Sequence, residues 1–261
     1  MVGVDTQPAP AVRTPADTRG QQWQGLQRRQ REAQFVDRIQ AGRQLGRNLS
    51  EYAEQADVAV VSVSWGGAVV GWAVAEALGV PHQHYRVRAI PCPAMARLAL
   101  GSVAGDGSVR IDDLVARSMG LDAENPTVQR QIARIDRRLR RDQGAFRGAC
   151  EGAALAAQLA GRTLVVVDDA IEAGDTMREA VMHLRHRFSP RRVVVAAPVC
   201  LADLRKQLQR HADAVVDIAS PLSVGAAARW YGQGSSPTAP ERRLLCQMFA
   251  NASAIGGFAE E

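Results

Sequence analysis

The stretch Arg162-Thr163-Leu164-Val165-Val166-Val167-Asp168-Asp169-Ala170-Ile171-Glu172-Ala173-Gly174-Asp175-Thr176-Met177 decides the fold. Its apolar, β-branched run from Thr163 to Val167 reads as a strand covered on both faces, as in a parallel sheet. Two carboxylates end the strand. A loop with one glycine follows, and a helical pattern begins near Asp175. In an open α/β sheet, ligands sit just past the carboxyl ends of the strands. The N–H groups of such a loop, backed by the start of a helix, bind phosphate. Asp168 and Asp169 are acceptors suited to sugar hydroxyls or to waters on a hard cation. Together these features suggest a ribose phosphate. A structural reading competes: acidic residues end many strands, and Gly174 and Asp175 could simply open a helix. Residue types alone leave both open.

The rest of the chain alternates strand and helix patterns around this stretch. Val58 to Val63 reads as a short buried strand, Ser64-Trp65-Gly66-Gly67 as a tight loop, and Ala68 to Leu78 as a helix of small residues. His84 to Arg88 is the next strand. Leu98 to Ala104 and Ser108 to Ile111 could pair as a hairpin across Gly105-Asp106-Gly107, outside the main sheet and over the site. Residues 112–119 and 126–143 are helical. Val193 to Ala197 and Ala214 to Ile218 are further strands, and Pro240 to about Ala250 is a last helix. Residues 23–55 carry helical spacing, with Phe35, Ile39, Gly42, Leu45 and Leu49 near one face. Residues 1–22, rich in Pro, Gln and Thr, are expected to be disordered. This alternation predicts one parallel α/β sheet with helices on both faces.

Val-Val-Asp-Asp-x-Ile-x-x-Gly-x-Thr resembles the phosphoribosyl pyrophosphate (PRPP) motif of type I phosphoribosyltransferases. Other motifs follow in the order of one bacterial phosphoribosyltransferase-like family. They are Phe35-x-Asp37-Arg38-x-x-Ala41-Gly42-x-x-Leu45, Trp65-Gly66-Gly67, Leu98-Ala99-Leu100-Gly101 and Phe146-Arg147-Gly148. Gly161-Arg162-Thr163, Gly225 and Trp230-Tyr231 complete the set. The resemblance covers about residues 35–250. It implies a type I phosphoribosyltransferase-like parallel sheet flanked by helices. A tail at 1–22 would precede a domain at 23–261 that includes a small hood at about 89–111.

The resemblance also implies a chemistry: transfer of ribose 5-phosphate from PRPP to a small-molecule acceptor, with release of pyrophosphate. Asp168 and Asp169 would meet the ribose hydroxyls. Mg²⁺ would arrive with PRPP and water rather than bind these carboxylates directly. Ala170, Ala173, Gly174, Asp175 and Thr176 would form the 5-phosphate loop. Ala173 stands where most relatives carry a Thr. Asp175 is unfavourable beside a phosphate unless it caps the helix and points away. Glu172 lies where purine-using relatives carry an acid, so it is a candidate general base; its plain alternative is a solvent-facing carboxylate.

Trp65, Gly66 and Gly67 match the family's pyrophosphate loop, which reads Pro-Arg-Gly-Gly, so Ser64-Trp65 removes a cation. Trp65 either stacks on a flat acceptor or packs. Arg88-Ala89 replaces Arg-Lys and removes a second cation. Arg88, Arg97 and Arg147 remain to meet pyrophosphate. These departures keep a second reading open: a catalytically silent regulator that binds PRPP or a nucleotide.

Composition narrows the alternatives. The 261 residues are 46% hydrophobic with a net charge of +5, enough for one large α/β domain. No run reaches transmembrane length, and the N-terminus does not read as a signal peptide, so a cytoplasmic protein is expected. Domains of this fold often pair, so a homodimer is a candidate state. The cysteines (Cys92, Cys150, Cys200, Cys246) lack zinc spacing, and Cys92, between two prolines, is expected to be the exposed one. His183 and His186 share a helix face and read as surface residues. The arginines at 130–141 read as a solvated helix; nucleic-acid binding is the weaker reading, because no aromatics interleave. Lys206 is the only lysine, so the site's cations should be arginines.

Overall fold

Why the central strands carry apolar residues at every position follows from their surroundings. In the computed structural model, which describes residues 35–143, 153–232 and 236–255, the main sheet is sandwiched between helices. Its strands are β1 (Val58–Ser62), β2 (His82–His84), β6 (Thr163–Val167), β7 (Ala170–Ile171), β8 (Arg192–Cys200) and β9 (Ala214–Ala219). They run parallel in the order β2-β1-β6-β8-β7, with β9 also on β8. On one face, Val58, Val60, Val165, Val167, Val194 and Ala196 meet helices α1 (Arg38–Asn48) and α2 (Trp65–Leu78). On the other, Ala59, Val61, Leu164, Val166, Val193 and Val195 meet α5 (Ala153–Leu159) and α6 (Gly174–Phe188). Two covered faces remove the need for alternation. The expected parallel sheet with helices on both sides is what forms.

The two strands that carry the chemistry are neighbours. β1 pairs with β6 from Val58↔Thr163 to Ser62↔Val167, so the chain leaves both strands at the same edge. β6 and β7 lie along β8 in one register, Val167↔Ala196 and Ala170↔Val199. The ladder lapses between them, once the Asp168 N–H has donated to Ala196 O at 3.2 Å. Pro198 of β8 stands opposite in that register and has no N–H for the ladder. The carboxylate pair therefore occupies a built interruption in a strand.

A second, antiparallel sheet holds β3 (Val87–Cys92), β4 (Met95–Ala104) and β5 (Val109–Ile111). The expected hairpin is present, with Gly101↔Ile111 to Val103↔Val109 in register. The expected strand from His84 to Arg88 divides in two. His82–His84 joins the main sheet, and the chain enters the second sheet at Val87. Helices α3 (Asp113–Ser118) and α4 (Pro126–Gln143) cover it through Ile90, Leu100, Val103, Val128 and Leu139. Cys92 belongs to that cluster and is buried, against expectation. Inward alternation along β3 outweighs the flanking prolines. Helices α7 (Ala202–Leu208) and α8 (Ala239–Ile255) complete the described elements.

Gly42 and Gly46 are required by close approach. A Cβ on Gly42 would lie 2.6 Å from the Val70 carbonyl, and one on Gly46 would lie 2.7 Å from the Ala77 Cβ. So α1 and α2 cross in near backbone contact. Ile39, expected on the inner face of α1, is exposed. The expected tail at 1–22, and residues 23–34 of the expected first helix, lie outside the described residues.

His183 overturns its surface assignment. It is 1% exposed. Its Nδ1 lies 3.1 Å from Ser102 Oγ and its Nε2 2.8 Å from Ser108 Oγ. Ser108 and Tyr85 both donate to Asp106. This polar knot fastens the second sheet to α6. Burial holds the His183 pKa down to about 4, so the folded protein keeps the ring neutral near pH 5 while the unfolded chain protonates it. Stability from this group is complete above the ordinary value near 6.5 and falls as pH drops toward 4, by roughly 3 kcal/mol. Urea unfolding at pH 7.5 and 4.5 should show that loss in the wild type. It should shrink in His183→Gln, with the remainder left by half-buried His82, whose pKa desolvation lowers to about 3, and by buried His84, whose pKa burial also lowers.

Candidate active site

The site is assembled from four separate pieces of chain around Asp168 and Asp169. Asp169 is 7% exposed. Arg38, from the first turn of α1, reaches its Oδ2 with Nε at 2.9 Å and Nη2 at 2.8 Å. Arg38 in turn lies over the Tyr231 ring, 4.4 Å from its centroid. The Tyr231 hydroxyl donates to the Asp169 carbonyl at 2.5 Å. Phe35 bridges to Tyr231 through paired backbone bonds, Phe35 N to Trp230 O and Gly232 N to Phe35 O, both 2.8 Å. The motifs near residues 35 and 230 thus join to hold one carboxylate.

Asp168 is half-buried. Its Oδ1 accepts from Ser64 Oγ and from the Asp169 N–H. Ser64 is also the N-cap of α2, accepting from Gly67 N at 2.9 Å. Burial, and then the charge of Asp169, push the Asp168 carboxyl well above the usual range. Arg38 bonds to Asp169 and not to its neighbour. Their difference in environment follows: Asp169 is locked by Arg38, and Asp168 faces outward with its proton more tightly held.

The segment Ser64 to Gly67 is not a loop. Ser64 caps α2, and residues 65–67 are its first turn. Its glycines are required by the acid pair itself. A Cβ on Gly66 would sit 2.1 Å from Asp169 Oδ2, and one on Gly67 would sit 2.8 Å from the Asp168 Cα. Trp65 is buried and packs, with its ring 4.6 Å from His84, 5.3 Å from the Arg86 guanidinium and 5.6 Å from that of Arg242. It brings no cation to the site.

Past the acids, Glu172 and Ala173 are exposed, and Gly174, Asp175 and Thr176 are half-buried. Ala173 is the N-cap of α6, and no side chain caps this helix. The first-turn N–H groups are therefore left to solvent or a ligand. Asp175 is not the cap. It lies in the first turn with Arg178 3.7 Å away. Gly174 is needed for packing, since a Cβ there would lie 2.9 Å from Leu204 Cδ2. Arg88 is exposed on β3. Arg97 lies in β4, but its side chain is outside the described residues, as is Arg147 altogether. Segment 64–67 meets the acid pair directly, through the Ser64 hydroxyl and Asp168.

The sequence profile of the phosphoribosyl transferase domain matches residues 34–228. The chain belongs to the phosphoribosyl transferase family. Relatives from two strains of Mycobacterium tuberculosis, each named "Putative phosphoribosyl transferase", are 32% identical over 199 residues, which is 76% of this chain and 43% of theirs. The chain thus spans less than half the length of these curated relatives. A solved structure from Thermus thermophilus is similar, with a TM-score of 0.70 and 28% identity. It covers 83% of this phosphoribosyl transferase chain and 99% of its own. Among the described residues of this family member, no helix is long and apolar enough to cross a membrane.

Arg38 and Tyr231 are the site residues whose role the sequence does not announce, although both lie in quoted motifs. Removing one partner of a buried ion pair costs roughly 3–5 kcal/mol, because the other charge stays behind unpaired. Chemical denaturation should show a loss of that size for Arg38→Met. Adding Asp169→Asn to it should return most of the loss. Additive losses in the double variant would mean that the pair is not coupled.

Proposed function

We propose that this chain transfers ribose 5-phosphate from PRPP to a small acceptor and releases pyrophosphate. The observation that carries this reading is the uncapped start of α6 beyond a carboxylate pair at the carboxyl end of a central parallel strand. A phosphate would accept from the N–H groups of Gly174, Asp175 and Thr176 and gain from the helix dipole. Asp168 would accept from a ribose hydroxyl beside it. Asp169, fixed by Arg38, would set the backbone of the pair rather than bind alone. Orientation of this kind contributes most of the acceleration when the transition state is a loose oxocarbenium ion.

Mg²⁺ fits as a partner of PRPP rather than of a protein cage. Two adjacent carboxylates, one held by Arg38, are oxygen donors for a hard cation that keeps its waters. Such a cation supplies charge for the leaving diphosphate. Among the described residues, no group of three or more His, Cys, Asp or Glu side chains could hold one by itself. Arg88 is the described arginine among those expected to meet the diphosphate. The second sheet, over about 89–111, would act as the hood, and the protein would work in the cytoplasm, as a monomer or a homodimer.

A regulator that binds PRPP or a nucleotide without turnover is the second reading. Burial of Trp65 against His84 and Arg86 favours it, because a residue that packs inward replaces the expected arginine. The two readings part at Glu172. It is exposed on the loop between the acids and α6, free to face an acceptor. As general base it would take the acceptor's proton as the new bond to C1 forms. Glu172→Gln should then lower pyrophosphate release by about 10²–10⁴-fold, with PRPP affinity by calorimetry nearly unchanged. PRPP binding without pyrophosphate release from any acceptor in a broad screen would establish the regulator instead.

A further inference from the structure

A groove of about 590 Å³ lies between β3 and α4, and neither carboxylate of the pair lines it. Five arginines line it: Arg86 and Arg88 from the β3 side, and Arg134, Arg138 and Arg141 from α4. One acid, Asp142, faces them. Asp142 is already engaged, accepting from Arg86 Nη2 at 3.0 Å. Like charges at Arg134 and Arg138, four residues apart on a helix, repel and weaken it. Exposure to solvent relieves that repulsion for Arg134 and Arg138. Arg86 has no such relief. Its side chain is 2% exposed, and its Nη1 is buried with no hydrogen-bond partner among the described residues. A buried guanidinium N–H without an acceptor is costly.

We propose that this groove is a built anion site that takes the phosphate or polyphosphate group of a small ligand. Arg86 provides the fixed, buried donor at its base. Arg134, Arg138 and Arg141 provide exposed donors at its rim, and guanidinium groups suit bidentate phosphate contacts. The groove is concave, and its described lining lacks aromatic side chains on which bases could stack, which favours a compact anion over a nucleic-acid strand. The site does not depend on ribosyl transfer. Its anion could be the diphosphate end of PRPP or the phosphate of a separate ligand.

Sodium tripolyphosphate is the probe, titrated calorimetrically into the full chain at roughly 0.15 M salt, where loose surface attraction is screened. Wild type should bind it, and Arg134→Ala/Arg138→Ala should weaken binding by at least about tenfold. The control, Arg130→Ala/Arg137→Ala, removes the same charge from α4 at positions outside the groove and should bind as wild type. Circular dichroism checks that both variants are folded. Repeating the titration with PRPP and Mg²⁺ already present separates the sources. Exclusion of tripolyphosphate means the groove holds the donor's diphosphate, and simultaneous binding means a separate phosphorylated ligand. Failure of PRPP to bind while tripolyphosphate still does would sink the transfer reading and leave the groove standing. No binding by wild type, or equal weakening in both double variants, overturns the proposal. So does an RNA oligonucleotide that outcompetes the probe and loses affinity in the groove variant.

Discussion

Everything at the candidate site depends on one constraint: two carboxylates on consecutive residues must coexist at the carboxyl end of a central, buried strand. The charge of Asp169 adds to the cost of ionising Asp168. The fold resolves this by giving them different environments. Arg38 neutralises Asp169 in the interior, while Asp168 stays half-buried and keeps its proton more tightly. Holding that arrangement recruits remote parts of the chain. Tyr231 supports Arg38 and the Asp169 carbonyl, Phe35 ties Tyr231 down, and Ser64 and the first turn of α2 close over the pair.

The small residues around the site have a common cause. Gly66 and Gly67 let α2 approach the carboxylates, and Gly42 and Gly46 let α1 approach α2. Since α1 delivers Arg38, the close crossing of these helices places the cation. Pro198 contributes from the other side by leaving the ladder open opposite the acids. A strand that simply continued would turn successive side chains to opposite faces. The lapse lets Asp168 and Asp169 both serve one corner of the molecule.

The sheet and the acid pair are legible in the sequence because their signals are local. A run such as Leu164 to Val167 has one good environment, and two acids ending it are conspicuous. Long-range roles are not legible. Arg38 and Asp169 are 131 residues apart, and nothing in the spacing of either predicts their pairing. His183 reads as a surface residue because Arg185, His186 and Arg187 make the end of α6 look solvated, although His183 itself faces the second sheet. Cys92 reads as exposed because prolines signal a loop, whereas the burial alternation of β3 carries it inward. Ser64 to Gly67 reads as a loop on its glycines, which here answer to a neighbouring side chain instead of a turn.

The most direct test is thermal unfolding of Asp168→Asn beside wild type at pH 8, each with and without PRPP and Mg²⁺. The raised pKa means that the ionised Asp168 weakens the fold. That penalty is absent below the ordinary carboxyl value and grows as pH rises toward the folded one. Without ligand, Asp168→Asn should therefore melt higher than wild type at pH 8, and the gain should vanish near pH 3. PRPP should raise the wild-type melting temperature and leave the variant unmoved. A variant that melts lower than wild type, or that gains as much from PRPP, would contradict the account of a carboxylate kept at a cost in stability for the sake of the ligand.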